Sequence, residues 1–313
     1  MIAVSDSEWE CIVVGGGAAG LSAALVLGRA RRKTLLVDSG RQSNLPAHGI
    51  GGLLGHDGRS PADLYAAGRK ELAAYPTVEV RDTEVVSGKR DGSGFVLDLS
   101  DGSREISRRV LLATGMDYRL PEVPGIAPLW GRSVFHCPFC HGWEARDLSL
   151  GVLDGSGHGV MRALLLQRWS DDVTLFTNGP TELPQADADR LNKARIPIDE
   201  RPVARLRSQG ENLTAVEFED GSLRPCGGLL VPVTLHQRSA LAEQLGAAFV
   251  PPGHIAADAL EVTQTFQTSV PGLFAAGDAS AQMPSVANAV AAGSNAAAGI
   301  VHSLLVEDHD LAH

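Results

Sequence analysis

The sequence has 313 residues, 44% of them hydrophobic and 20% charged, with a formal charge of −10 at pH 7. That length suffices for two ordinary domains with separate cores. The longest basic cluster is the short stretch 29–33, and phosphate backbones need clustered positive charge, so nucleic acid is set aside as a partner. The apolar stretches are broken by glycine or charge before 18 residues, which predicts no membrane span. The opening MIAVSDSEWE has neither the basic start nor the apolar core of a signal peptide, so a cytoplasmic location is expected.

In chain order, the first element is a short apolar strand over 10–14, closing on Gly15-Gly16-Gly17-Ala18-Ala19-Gly20. A helix over 21–30 and a strand over 34–37, ending at Asp38, complete a βαβ unit. In a G-x-G-x-x-G turn the glycines let helix amides approach a pyrophosphate, and an acid at the end of the second strand binds ribose hydroxyls. A helix follows over 59–75, with Ser60 as N-cap and Pro61 in its first turn. Alternating segments over 78–86 and 94–99, punctuated by Asp91-Gly92 and Asp101-Gly102, read as a meander. A buried strand then closes on Ala113-Thr114-Gly115. A second βαβ pattern has strands over 150–153 and 173–176 around a helix over 160–169. Further strands are expected over 213–219 and 229–233. The segment 269–278 is a strand ending in Gly277-Asp278, and an alanine-rich helix over 285–306 closes the pattern. The fold class is α/β: two Rossmann-like modules, the second inserted into the first. Residues 1–117 and 247–313 form one domain and 118–246 the other.

Three pieces converge on one cofactor: the turn with Gly15, Gly17, Ala18, Ala19 and Asp38, the Ala113-Thr114-Gly115 turn, and Gly277-Asp278. Each alone is explained by a tight turn. In this order they suit a long dinucleotide across the switch point of one sheet, and FAD is the expectation. Among the four cysteines, Cys11 lies in a buried strand and Cys226 at a turn, and neither is given a role. Cys137 and Cys140, in His136-Cys137-Pro138-Phe139-Cys140-His141-Gly142, have the spacing of a small disulfide ring with redox use. Zinc is the rival reading, but a structural zinc takes four ligands and there is no second cysteine pair; no metal is expected. An inert pair is the remaining alternative.

These motifs resemble the thioredoxin reductase-like flavoproteins of low molecular weight, with the architecture of class-II pyridine nucleotide-disulfide oxidoreductases. The resemblance covers essentially the whole chain. It is carried by 15–20, the block from Cys137 to Glu144, Trp169-Ser170-Asp171-Asp172, and 271–278. Within that group the chain is most similar to the dithiol oxidases of disulfide natural products of the gliotoxin, holomycin and romidepsin type. The resemblance implies that Cys140 faces the flavin C4a and that Cys137 exchanges with a small-molecule dithiol. It extends the flavin site to Ser39, Gln42, Asn44, Val85, Val286 and Ala287, and it implies a homodimer. Where the reductases carry an acid after the second cysteine, this chain has His141, which would move the protons.

The second βαβ turn departs from the reductases. Read from Gly155 and Gly157, it puts Val160 where a small third residue belongs, and Asp154 adds negative charge beside a pyrophosphate. The second strand ends Phe176-Thr177-Asn178-Gly179, with neither an acid for an NAD ribose nor arginines for a 2′-phosphate. The expectation is a scaffold that no longer binds NAD(P)H. Electrons then enter from the dithiol and leave to molecular oxygen, giving hydrogen peroxide. The alternatives are an NAD(P)H-dependent thioredoxin reductase-like enzyme and a non-catalytic flavin-bound sensor. His48 and His56, in the glycine-rich loop over 43–57, are candidates for the substrate wall.

Overall fold

The computed structural model describes residues 9–311 except 93 and 282. Most of the N-terminal segment read for a signal sequence, residues 1–8, lies outside them. In chain order the first half runs β1 (Trp9–Val14), α1 (Ala18–Arg29), β2 (Thr34–Asp38), α2 (Pro61–Leu72), β3 (Val78–Asp82), β4 (Val85–Asp91), β5 (Gly94–Leu99), β6 (Arg104–Leu112) and β7 (Met116–Arg119). Next come β8 (Val134–Phe135), α3 (Pro138–His141), β9 (Leu150–Leu153), α4 (Gly159–Leu166), β10 (Val173–Phe176), α5 (Gln185–Ala194) and β11 (Ile198–Asp199). The remainder is β12 (Val203–Gln209), β13 (Asn212–Phe218), β14 (Leu223–Pro225), β15 (Gly228–Leu230), β16 (Thr234–Gln237), α6 (Leu241–Gln244), β17 (Leu273–Ala275) and α7 (Val286–Asp308).

The chain divides into two compact units. The first comprises 1–45, 61–118 and 234–313, and the second 46–60 and 119–233. The return to the first unit thus falls before the expected 247, because Leu241 and Leu245 of the α6 segment are buried in its core beside Val85 and Leu97. The loop 46–60 falls in the second unit instead of the first: Gly51 sits so close to the redox segment that a Cβ on it would lie 2.7 Å from the Cys140 carbonyl oxygen.

In the first unit, β3, β2, β1, β6 and β17 run parallel, while β4 and β5 join antiparallel along the first half of β6. β1 and β2 are buried almost throughout and are apolar but for Glu10, Thr34 and Asp38, because parallel strands are covered on both faces. On one face lie Ile12, Leu35, Leu97, Val110 and Leu273. On the other, Val13, Leu36 and Leu111 pack under α1, α2 and α7. By length and composition α7 is apolar enough to cross a membrane, which corrects the expectation that no stretch qualifies. Its Ala296, Ala297, Ile300 and Leu304 are wholly buried against α1 and Phe274, the position of a core helix.

In the second unit, β11, β10, β9, β15 and β8 form a parallel sheet, with β12, β13 and β14 a separate antiparallel one. Phe135, Val152, Leu166, Leu175 and Leu230 share its core. β8 leads directly into the cysteine motif, so the parallel sheet fixes where that motif starts.

Candidate active site

Every residue expected to hold the cofactor lies in the first unit, and Cys137, Cys140 and His141 all lie in the second. In the first unit the turn after β1 demands glycine. Gly15 has φ +108°, and a Cβ there would come within 2.3 Å of the Ala113 carbonyl oxygen. That contact joins the first turn to Ala113-Thr114-Gly115. Gly16 lies against the Asp38 carboxylate, and Gly277 against Ala19. Gly17 is different: the nearest atom to a Cβ there is Gln42 Cγ at 3.7 Å, so the protein itself does not require glycine, whereas a ligand lying on the turn would. No side chain caps α1 and no acid stands in its first turn. Its leading amides are therefore left for an anion.

Asp38 is buried and accepts hydrogen bonds from Gly40 N at 3.0 Å and Gln42 Nε2 at 3.1 Å, and it pairs with Arg69. With Ser39, Gly40, Arg41 and Glu84 it lines a cavity of about 380 Å³. Val85, next to Glu84, is buried. Asn44 accepts from Tyr65 Oη at 2.8 Å. Asp278 accepts from Tyr118 Oη at 3.1 Å. Burial pushes the Asp278 carboxyl up, against the pull of that hydrogen bond and of Arg238. Val286 and Ala287 form the first turn of α7, which Ser285 caps by accepting from Asn288 N. An uncapped helix start, a turn shaped by Gly15 and Gly17 and a buried carboxylate at the opposite strand end together fit FAD.

In the second unit, Cys137 and Cys140 are joined as a disulfide with Cα atoms 5.3 Å apart. Cys137 is the N-cap of α3, and Cys140 follows on its one turn with its N bonded to Cys137 O at 3.2 Å. Both are half-buried. Gly142 lets the Trp169 ring close on this turn, and Trp169 meets Phe139 edge-on at 5.6 Å between centroids. Ser170 Oγ donates to Leu148 O and accepts from Asp172 N at 3.1 Å. The Trp169–Asp172 block therefore anchors the segment after the cysteines.

The His141 ring stacks on Phe135 at 5.7 Å, and its Nε2 lies 3.1 Å from Gly131 O. A carbonyl only accepts, so Nε2 carries the proton and Nδ1 the lone pair in the neutral ring. Nδ1 is shut from solvent without a hydrogen bond of good geometry. Burial lowers the His141 pKa, while the Gly131 and Cys137 carbonyls and Glu144 pull the other way. His136 is lowered further, to about 4, by burial and then by His141 and Arg162. Among the described residues no group of three or more His, Cys, Asp and Glu side chains could hold a metal ion. His48 pairs with Glu211 at 3.1 Å and His56 Nδ1 meets Arg59 at 3.2 Å, both within the second unit.

The second βαβ turn superposes on the first in its bonding, with a frame different from the expected one. Gly15 N donates to Val37 O at 2.8 Å, and Asp154 N to Phe176 O at 2.9 Å. A Cβ on Gly20 would lie 1.8 Å from Gly15 O, and one on Gly159 would lie 2.3 Å from Asp154 O. Asp154 thus stands in the place of Gly15, Ser156 in that of Gly17, and Gly159 in that of Gly20. The reading that made Val160 the third position is corrected: Gly159 gives the close helix–strand approach. Thr177 takes the place of Asp38, and its Oγ1 donates to Gly179 O at 2.7 Å.

A family model for pyridine nucleotide-disulphide oxidoreductases matches residues 9–293. The chain belongs to this family. The thioredoxin reductase tcpT of Claviceps purpurea (strain 20.1) is 33% identical over 295 residues, covering 91% of this chain and 90% of its own. The thioredoxin reductase sirT of Leptosphaeria maculans is 31% identical over 323 residues, covering 98% of each. Among solved structures, HlmI superposes with a TM-score of 0.90 at 36% identity, over 97% of this chain and 95% of its own. An oxidoreductase from Agrobacterium tumefaciens gives 0.89 at 34% identity, over 95% and 99%. As a member of the pyridine nucleotide-disulphide oxidoreductases, similar to thioredoxin reductases, the chain is a flavoprotein that uses FAD and acts on thiols and disulfides. Sequence reasoning passed over Tyr118, Arg69 and Gly131, which bond Asp278, Asp38 and His141. Their partners are 160, 31 and 10 residues away, and no local pattern announces such contacts.

Proposed function

We propose that this flavoprotein is a dithiol oxidase that closes an intramolecular disulfide in a small molecule, at the Cys137–Cys140 pair. The observation that carries the reading is the contrast between the two βαβ turns. Both helices start without a side-chain cap, but only the first turn has the strand-end acid, Asp38, that a dinucleotide uses. The second has Thr177 in place of that acid and a carboxylate, Asp154, inside its turn. Electrons therefore enter from the thiol side.

His141 takes the proton of the first substrate thiol, and the resulting thiolate attacks Cys137 Sγ. The Cys137–Cys140 bond breaks and Cys140 leaves as a thiolate. The second substrate thiol attacks the substrate sulfur of the mixed disulfide, and its proton passes to Cys137 as that sulfur leaves. One S–S bond has formed in the product, one has been lost from the protein, and the pair holds two electrons. Bound FAD supplies the two-electron outlet from the reduced pair to molecular oxygen, giving hydrogen peroxide. Gly15–Gly20, Asp38 and Asp278 would hold it. Trp169 and Gly142 keep the cysteine turn fixed while the sulfurs exchange.

The relatives named thioredoxin reductases favour the reverse direction, with NAD(P)H as donor. Anaerobic mixing separates the two. A small dithiol should bleach the flavin within seconds, and peroxide should appear when air is readmitted, while NADPH and NADH leave the flavin oxidised. Rapid bleaching by NADPH overturns the proposal in favour of a reductase. Bleaching by neither leaves a flavin-bound protein without this activity, and overturns it as well.

A further inference from the structure

We infer that Asp154 is the residue that bars dinucleotides from the second module, by filling the anion position of its own turn. The inference rests on the proposed direction of electron flow and names what enforces it. Asp154 is buried. Its Oδ1 accepts from Ser156 N at 2.8 Å, and its Oδ2 pairs with Arg162 on the first turn of α4. Ser156 occupies the place of Gly17, so the amide that the first turn leaves for an anion is here consumed by an internal carboxylate. Arg162, a cation on the first turn of the helix, is paired with the same group. A pyrophosphate would have to displace a buried carboxylate from two partners, or sit against it as a like charge. The first turn has a glycine, Gly15, at the corresponding position, while both helices start without an acid or a side-chain cap.

This makes the barrier local and removable. The strand and helix of the second module stand in the same register as the first, and Gly159 preserves the close approach that the first module makes with Gly20. Asp154→Gly recreates the first turn's residue and frees both the Ser156 amide and the Arg162 guanidinium. The ribose end stays unspecific, because Thr177 bonds Gly179. The gain should therefore appear in phosphate recognition, with little discrimination between NADP⁺ and NAD⁺.

The test is calorimetric titration of NADP⁺ and of inorganic pyrophosphate into FAD-loaded protein. Asp154→Gly should bind NADP⁺ at least tenfold more tightly than wild type, and adding Arg162→Ala should remove most of that gain. Should the glycine variant fail to fold, Asp154→Asn keeps the shape and the Ser156 hydrogen bond while removing the charge, and a gain of threefold or more is expected. If a folded, flavin-loaded variant binds NADP⁺ no more tightly than wild type, the inference is wrong. A wild-type flavin bleached by NADPH would sink the proposed function and this inference together. Flat titrations of the variants beside an unbleached wild type would sink the inference alone.

Discussion

At His141 the tautomer follows from its neighbours. With Nε2 held by the Gly131 carbonyl, Nδ1 is left as a buried acceptor, and the lowered pKa keeps the ring neutral at pH 7. A neutral imidazole on the cysteine turn suits proton acceptance. His141→Ala should reduce dithiol turnover by ~10²–10⁴-fold, the range for a positioned acid–base group. Part of that loss should return as the pH rises toward ~8.5, where substrate thiols ionise unaided. Steady-state rates from pH 6 to 9 decide it; activity within twofold of wild type at pH 7 rejects the role. His136 and His141 also tie stability to acidity. Both have folded pKa values below the unfolded ~6.5, His136 at about 4, so the unfolded chain binds more protons between those values. Stability is complete above ~6.5 and falls as the pH drops toward about 4. Melting temperatures across that window should fall less steeply in His136→Gln, and an unchanged slope would remove His136 from the account. The cysteine motif and its histidines stood out in the sequence because their chemistry is carried by residue type and spacing. Gly131 and Tyr118 did not, because a carbonyl or a hydroxyl brought from afar leaves no local mark.

The α1–α7 pair shows how an element can be legible while its reason is not. The alanine-rich segment announces a helix over 285–306, close to the observed Val286–Asp308. What it packs against depends on Gly293, where a Cβ would fall 2.0 Å from the Ala19 carbonyl oxygen. Gly293→Ala should therefore cost about 1–3 kcal/mol as an overpacking change. It should also lower FAD content, because Ala19 belongs to the cofactor turn. Denaturant midpoints and the flavin-to-protein absorbance ratio check this; a variant with wild-type values for both would mean the helices shift without cost. The strands at 94–99, 150–153 and 173–176 are legible to their observed limits, because each is a buried, mostly apolar run bounded by turn residues. The segment 78–86 divides at Thr83-Glu84 into β3 and β4, and β6 begins at Arg104, earlier than its apolar half suggests. α5 and β12 are not legible in the sequence, since each buries a single leucine, Leu191 and Leu206, which leaves no periodic stripe. In sequence the visible glycine pattern frames the second βαβ turn from Gly155 and Gly157. The hydrogen bonds put the frame one residue earlier, with Asp154 and Ser156 in the glycine places.

At the scale of the molecule, the two units divide the work. The first has its own core around Ile12, Leu35 and Leu111, and the second around Phe135, Val152 and Leu175. All residues expected to hold FAD are in the first, and the cysteine pair with His141 is in the second. A ligand bound by one unit stabilises that unit's native state and does nothing directly for a core it does not touch. Removing FAD should therefore lower the melting transition of the first unit and leave the second near its original temperature. With free FAD at about 100 times its Kd, the lost stabilisation is ~2.7 kcal/mol, or roughly 5–10 °C for a unit of this size. Differential scanning calorimetry on flavin-loaded and flavin-stripped protein should show two transitions, with one of them moving down on stripping and recovering when FAD is added back. A single transition that shifts as a whole would mean that the units unfold together, and that the cofactor's stabilisation is shared by the cysteine-bearing unit.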